Sequence, residues 1–160
     1  MFIIEPLKAQ DRKDFDCGED ALNRYLRERA TQDIKRRLNR VFVAIEEGKS
    51  QVIGYYTLAA TTVEAEKLPP SHTKHLPKYP IPAALLGKLA VDKGWAKQGL
   101  GKLLLANAIR RVQVLEKEIG IHVLVVDPLT DDLIRFYTPF GFLHIPPERR
   151  LFLFTDGIAD

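Results

Sequence analysis

The chain has 160 residues, of which 46% are hydrophobic, so we expect one globular domain with a sizeable core spanning residues 1–160. It contains neither an apolar run of about 18 residues nor a leader with a cleavage site, which predicts a cytoplasmic protein without a membrane segment. The formal net charge is only +3, and a single cysteine, Cys17, excludes an intramolecular disulfide. The four His show no metal-ligand spacing, so no metal site is predicted.

The first third of the chain is predicted to contain a strand, two helices and then two further strands. Residues 2–7 form a predicted strand, and after a turn at 16–20 Leu22, Leu26 and Ala30 repeat at helical spacing. A second, basic helix is predicted over residues 31–38. Strands follow at 40–46 and, after a turn at 47–50, at 51–63.

Positive charge is concentrated between residues 23 and 40. Seven Lys and Arg stand there against Glu28 and Asp33, a local excess of five. Such a run suggests an anionic partner, and a solvated helix face is an equally good interpretation. The seven are Arg24, Arg27, Arg29, Lys35, Arg36, Arg37 and Arg40.

Five prolines between residues 67 and 82 predict an extended surface loop without regular structure. The loop carries Lys74 and Lys78 together with two histidines and Tyr79. It is either a rigid crossing between two strands or a lip that faces a substrate.

The second half predicts a strand at 85–91, a glycine-containing turn and a long helix. Further strands are predicted at 121–126 and 151–154, with a short helix at 131–138 that ends before Gly141. One apolar helical face is traced by Leu100, Leu103, Leu104, Ala108, Val112, Leu115 and Ile119, and Gly120 follows as the stop.

The turn before the long helix has the features of an anion site. Gly99 and Gly101 lack a Cβ, so backbone N–H groups can close around a pyrophosphate at the helix N-terminus. Lys97 and Lys102 would add positive potential. Neither a P-loop nor a dinucleotide fingerprint fits, because Leu103 follows Lys102 and Leu104 stands where a third glycine is needed. A glycine-softened helix start, without a ligand, is the alternative.

Two motifs together resemble the GNAT acetyltransferases. The segment Ala96-Lys97-Gln98-Gly99-Leu100-Gly101 resembles their acetyl-CoA loop, and Phe136-Tyr137-x-x-Phe140-Gly141-Phe142 is similar to a motif after their fifth strand. The segments Phe15-Asp16-Cys17-Gly18, Gly54-Tyr55-Tyr56-Thr57-Leu58 and Leu86-Gly87-Lys88-Leu89-Ala90-Val91-Asp92 narrow the resemblance to the GNAT toxins of bacterial type II toxin–antitoxin modules. Three positions depart from the family pattern: Lys88, Ala96 and Pro128.

The resemblance implies an α/β GNAT fold. Its mixed central sheet has six to seven strands flanked by helices, and strands four and five splay apart so that backbone N–H groups can polarise a thioester carbonyl. It implies Tyr137 as the catalytic proton donor. The implied acetyl-CoA-binding residues are Leu89, Ala90, Val91, Lys97, Gln98, Gly99, Leu100, Gly101, Lys102, Asp127 and Phe136.

The same resemblance implies a substrate and partners. The toxins acetylate the α-amine of aminoacyl-tRNA and so stop translation, are typically dimers, and are neutralised by a ribbon–helix–helix antitoxin. Basic residues of the helices and the proline-rich loop would then meet tRNA phosphates: Arg27, Lys35, Arg36, Arg37, Lys74 and Lys78. Two other functions stay open, namely acetylation of a small amine or a protein N-terminus, and a CoA-binding co-repressor without essential catalysis.

Overall fold

A computed structural model describes residues 1–155 and shows a mixed seven-stranded sheet with flanking helices, as the resemblance implies. The strands are hydrogen-bonded in the order β1-β2-β3-β4-β5-β7-β6. They are β1 Phe2–Pro6, β2 Arg40–Glu46, β3 Gly54–Val63, β4 Ile81–Val91, β5 Val123–Val126, β6 Leu143–His144 and β7 Leu151–Leu153. No helix within residues 1–155 is long and apolar enough to cross a membrane.

The α-helices are α1 Asp20–Arg24, α2 Ala30–Lys35, α3 Leu100–Leu115 and α4 Ile134–Tyr137. A π-helical segment, Tyr25–Arg29, joins α1 to α2, so residues 20–35 are one continuous helix rather than the two that the sequence predicted. The inward residues Leu22, Leu26, Ala30 and Ile34 explain the π segment. Repeated four-residue spacing drifts by about 40° per step on a helix of 3.6 residues per turn, and the wider turn offsets that drift.

The chain forms two compact units. The first comprises residues 1–59 and 87–108, and in it β1, β2 and β3 pair antiparallel. Its core joins the sheet to the 20–35 helix through Leu22, Tyr25, Leu26, Tyr55 and Ala90.

Among the described residues, the second unit comprises residues 60–86 and 109–155. In it β4 pairs parallel with β5, and β7 lies antiparallel to both β5 and β6. Its core contains Val63, Ile81, Val123, Val125 and Phe152.

Several predicted boundaries were wrong. Strand β3 begins at Gly54 rather than at residue 51, because residues 50–52 are hydrogen-bonded to Asp11 instead. The proline-rich segment is not wholly irregular: it contains the 3₁₀ turns Ala65–Lys67 and Pro70–His72, buries Leu68, and enters β4 at Ile81.

The buried face of α3 is displaced from the predicted one. Leu100, Leu104, Ala108 and Val112 are buried, but Leu103, Leu115 and Ile119 are exposed, and α3 ends at Leu115. The buried stripe includes Leu105 and Ile109 instead. Strand β5 begins at Val123 rather than at 121, and the two-residue β6 was not foreseen, because so short a strand has no periodicity to read.

Candidate active site

In the first unit, the turn that follows β4 is held by Asp92. Its Oδ2 accepts the Gly94 N–H at 2.9 Å, and its Oδ1 accepts the Asp16 N–H at 2.9 Å. Lys93 forms an ion pair with Asp16 at 3.0 Å. This ion pair, together with hydrogen bonds from the Gly18 N–H and the Asn23 side chain, lowers the pKa of Asp16 to about 2. Asp92 was not among the predicted site residues, although an Asp two residues before a glycine is a common turn signal.

The predicted anion loop has an unusual backbone. Ala96 is extended, whereas Lys97 and Gly99 both have left-handed φ values, of +63° and +82°. A glycine adopts this conformation without cost, but for a lysine it is uncommon and strained. Residues 96–99 are all exposed, and a Cβ on Gly99 would meet no atom within 4 Å. The loop is therefore open to a ligand.

The helix behind the loop presents unpaired donors. The Gly99 carbonyl accepts the Leu103 N–H at 3.1 Å, so the N–H groups of Leu100, Gly101 and Lys102 precede the first intrahelical bond. The start of α3 is fixed against β3, because a Cβ on Gly54 would lie 3.4 Å from Leu100 and 2.9 Å from Leu104. Together with the exposed ammonium groups of Lys97 and Lys102, these N–H groups fit a pyrophosphate.

Within residues 1–155, the carboxyl end of β4 has no paired strand on its β5 side. The parallel register with β5 ends at Leu86–Val126, whereas β4 continues to Val91. The N–H groups of Lys88 and Asp92 are donated to Thr57 Oγ1 and to the Ile53 carbonyl, on the β3 side. Because the direction of N–H groups alternates along a strand, those of Leu89 and Val91 point to the opposite side. The side chain of Ala90, between them, is in the core.

Tyr137 ends α4 in the second unit, where its ring is packed and only 7% of the residue is exposed. The ring meets Phe136 at 5.0 Å and Phe142 at 5.5 Å between centroids, both edge to face. Burial raises the pKa of Tyr137 to about 12. Within residues 1–155 no group hydrogen-bonds its hydroxyl, and the raised pKa keeps the phenol protonated at neutral pH.

Asp127, another predicted cofactor residue of the second unit, is held by Arg150. The carboxylate receives two hydrogen bonds from the guanidinium, of 2.7 and 2.8 Å. This pairing raises the pKa of Arg150. Arg150 was not predicted as a site residue; no local motif links two positions that are brought together only by strand pairing.

The predicted tRNA-binding residues fall into three groups. Lys35, Arg36 and Arg37 are exposed where α2 ends in the first unit, and Lys74 and Lys78 are exposed in the second.

Arg27 is also exposed, but its guanidinium is occupied. It donates to the Phe15 carbonyl at 2.9 Å and so ties the 20–35 helix to the segment before it.

Arg37 is conformationally strained. Its φ is +60°, its N–H is donated to the Ile34 carbonyl, and the Leu38 N–H is donated to the Asp33 carbonyl. These two bonds form the helix-ending Schellman motif, whose left-handed position is usually a glycine. An arginine there costs backbone strain, which is consistent with a functional use of its charge.

Comparisons with known proteins identify one family. The model of the acetyltransferase (GNAT) domain matches residues 37–143. A relative from Mycobacterium tuberculosis, described as a tRNA-acetylating toxin, is 36% identical over 140 residues, which are 88% of this chain and 82% of the relative.

Solved structures of the toxin AtaT are similar to this chain over nearly its whole length. The toxin AtaT in complex with acetyl-methionyl-tRNAfMet has a TM-score of 0.90 and 33% identity, covering 98% of this chain and 96% of that one. A tyrosine-to-phenylalanine mutant of AtaT, bound to the C-terminus of the antitoxin AtaR and acetyl-CoA, has a TM-score of 0.82 and 31% identity, covering 97% of this chain and 94% of that one.

Proposed function

We infer the function of this chain from its family: it belongs to the GNAT acetyltransferases, and acetyl-CoA is its acetyl donor. We propose that it is a toxin that acetylates the α-amine of aminoacyl-tRNA and thereby blocks translation. The observation that carries the proposal is the combination of an open anion loop at the start of α3 with N–H groups at the end of β4 that lie beyond its pairing with β5. The similarity to a tRNA-acetylating toxin over 88% of the chain supports the choice of acceptor.

The residues of the first unit suit acetyl-CoA. The N–H groups of Leu100, Gly101 and Lys102 and the ammonium groups of Lys97 and Lys102 would hold its pyrophosphate, and the left-handed Gly99 leaves the space for it. Bound acetyl-CoA supplies an activated thioester. The N–H groups of Leu89 and Val91 would donate to the thioester oxygen, where negative charge develops; one such donor is worth about 10²–10³ in rate in comparable enzymes.

Tyr137 is the proposed proton donor to the departing thiolate. Its pKa of about 12 keeps the phenol protonated at neutral pH, so a proton is available as the C–S bond breaks. The phenolate left behind is a stronger base than the thiolate, and it takes up the proton that the attacking amine loses, so the step balances. Phe136 packs against its ring and would fix its orientation. The assignment rests on the Phe136-Tyr137 motif that the family shares.

An α-amine acceptor fits the absence of an obvious general base among the predicted site residues. A free α-amine has a pKa near 8, against about 10.4 for lysine, so a useful fraction is neutral without a base. The exposed Lys35, Arg36 and Arg37 at the end of α2 supply the positive charge for tRNA phosphates.

The proposed partners follow the relatives. Since a structure of AtaT contains the C-terminus of its antitoxin AtaR, we propose that this chain is neutralised by a cognate antitoxin, of the ribbon–helix–helix class. We further propose that it acts in the cytoplasm as a homodimer, each copy a single GNAT domain of 160 residues.

The test is incubation of the protein with labelled acetyl-CoA and total charged tRNA, followed by identification of the acetylated amino acid. We expect label on the amino acid of charged tRNA and none on uncharged tRNA. Label confined to proteins or to small amines would overturn the proposed acceptor while leaving the acetyltransferase activity. Binding of CoA without any transfer would favour a non-catalytic co-repressor.

A further inference from the structure

Lys88 carries a positive charge that no carboxylate neutralises within residues 1–155. Its Nζ lies 4.1 Å from the centroid of the Tyr25 ring, a cation–π contact, and its side chain is half-buried on β4. A desolvated ammonium without an anion is unfavourable, and an aromatic face compensates for only part of that cost. The position is therefore suited to an anionic ligand.

Tyr25 is fixed beneath this ammonium by several contacts of the first unit. Its hydroxyl donates to Asp33 Oδ2 at 2.9 Å and accepts from Asn39 Nδ2 at 3.0 Å, so the Asp33 carboxylate is already engaged. Its ring stacks on Tyr55 at 6.4 Å, and Tyr55 in turn donates to the Leu22 carbonyl. The Tyr25 ring beneath the Lys88 ammonium is therefore held in one position.

The place of Lys88 on β4 indicates which ligand it meets. It precedes Leu89, whose N–H is one of the two proposed donors to the thioester. Like the side chain of Ala90, that of Lys88 lies on the face of the sheet that the 20–35 helix covers. On that helix, Asp33 stands two residues before the exposed Lys35. The Lys88 side chain therefore leaves β4 beside the proposed thioester site and extends toward the basic helix. The CoA pyrophosphate belongs at Gly99–Lys102, at the other end of the cofactor's long pantetheine arm.

We propose that the Lys88 ammonium binds the phosphate that joins the last two nucleotides of the charged tRNA and so positions the aminoacyl end. This inference rests on the proposed function, because only a nucleotide-linked acceptor brings a phosphate to this point. Tyr25 acts through Lys88 as a positioning residue.

The experiment compares two acceptors that differ by that phosphate alone: 3′-aminoacyl adenosine, and the same compound carrying a methyl-esterified 5′-phosphate. We expect the wild-type protein to prefer the phosphate-bearing acceptor by about tenfold in kcat/KM, as for loss of one charged contact. Lys88→Met should abolish the preference, with kcat/KM for aminoacyl adenosine within about twofold of the wild type. Lys88→Arg should retain the preference.

The control is Lys49→Met, which removes an exposed ammonium paired with Glu46 at 3.4 Å and should change neither value. Thermal unfolding and CoA titration verify the fold, and Lys88→Gln serves if Lys88→Met does not fold. With full-length charged tRNA, Lys88→Met should reduce the slope of log KM against log salt by about one phosphate contact.

Two results would overturn the inference. One is an unchanged preference in Lys88→Met. The other is an equal loss on both acceptors with a shifted pH profile, which would mean that Lys88 acts on the amine. If the wild-type protein acetylates neither these acceptors nor charged tRNA, the proposed function itself fails.

Discussion

Asp127 and Arg150 form a two-point ion pair one step beyond the last paired residues of β5 and β7, Val126 and Leu151. Both side chains are half-exposed, so the pair should contribute about 0.2–1 kcal/mol. We expect Asp127→Asn and Arg150→Gln each to lower the free energy of unfolding by no more than about 1 kcal/mol, measured by urea denaturation. The double variant should lose less than the sum.

The same two variants test the prediction that Asp127 contacts the cofactor. That prediction requires weaker CoA binding in Asp127→Asn with no change in Arg150→Gln. An equal loss of CoA binding in both variants would mean that the ion pair only holds the backbone in place and that Asp127 makes no contact with CoA.

Tyr137→Phe should reduce kcat by about 10²-fold or more, because the proton donor is lost. The free energy of unfolding should change by less than about 0.5 kcal/mol, since within residues 1–155 the hydroxyl has no hydrogen-bond partner to lose. Transfer from labelled acetyl-CoA measures the first effect, and CoA titration serves as the control. Near-normal kcat would remove Tyr137 from the mechanism.

The raised pKa of Tyr137 predicts a difference in alkaline stability. Folding favours the protonated phenol, so its contribution is complete below the ordinary pKa of 10 and is lost as pH rises through about 12. The wild-type protein should therefore lose about 2 kcal/mol more than Tyr137→Phe between pH 9 and 12. Urea unfolding at each pH measures this. Tyr79→Phe, at a 64% exposed tyrosine, should behave as the wild type; identical pH dependence in all three proteins would contradict the assignment.

Arg37→Gly should stabilise the fold while weakening tRNA binding. Glycine relieves the strain of φ +60° and should raise the free energy of unfolding by about 1 kcal/mol. Loss of the charge should raise KM for charged tRNA without affecting CoA. The matched control is Arg36→Gly, whose φ of −82° is ordinary, so that glycine can only destabilise there. An unchanged KM in Arg37→Gly would place the tRNA elsewhere.

Gly99→Ala should weaken CoA binding by about tenfold. The new Cβ meets no atom, so the whole effect comes from φ +82°, which costs about 1–2 kcal/mol for an L-residue. Isothermal titration with CoA measures it. Gly120→Ala, where the Cβ also meets nothing and φ is not left-handed, should bind CoA normally. Normal binding in Gly99→Ala would show that the loop conformation is not required.

The family was determined by the sequence alone, which also located the loop that we propose for the cofactor. Gly99, Gly101 and the apolar stripe that begins at Leu100 are neighbours along the chain, and a helix start follows from such local chemistry. The Phe136-Tyr137 motif is local in the same way. Strand content was also predictable, because alternation and β-branching are local, although the limits of β3 and β4 were misplaced.

Only the tertiary structure decided the rest. The N–H groups of Leu89 and Val91 point away from β3 and lie beyond Leu86, where the β4–β5 pairing within residues 1–155 ends. The sequence of β4 does not indicate where its partner strand ends. Lys88 meets Tyr25, and Asp127 meets Arg150, because strands and helices bring distant positions together. The left-handed φ values of Lys97 and Arg37 carry a cost, which at Arg37 the two hydrogen bonds that end the helix offset. Such features depend on the completed sheet and its covering helix, which no short segment encodes.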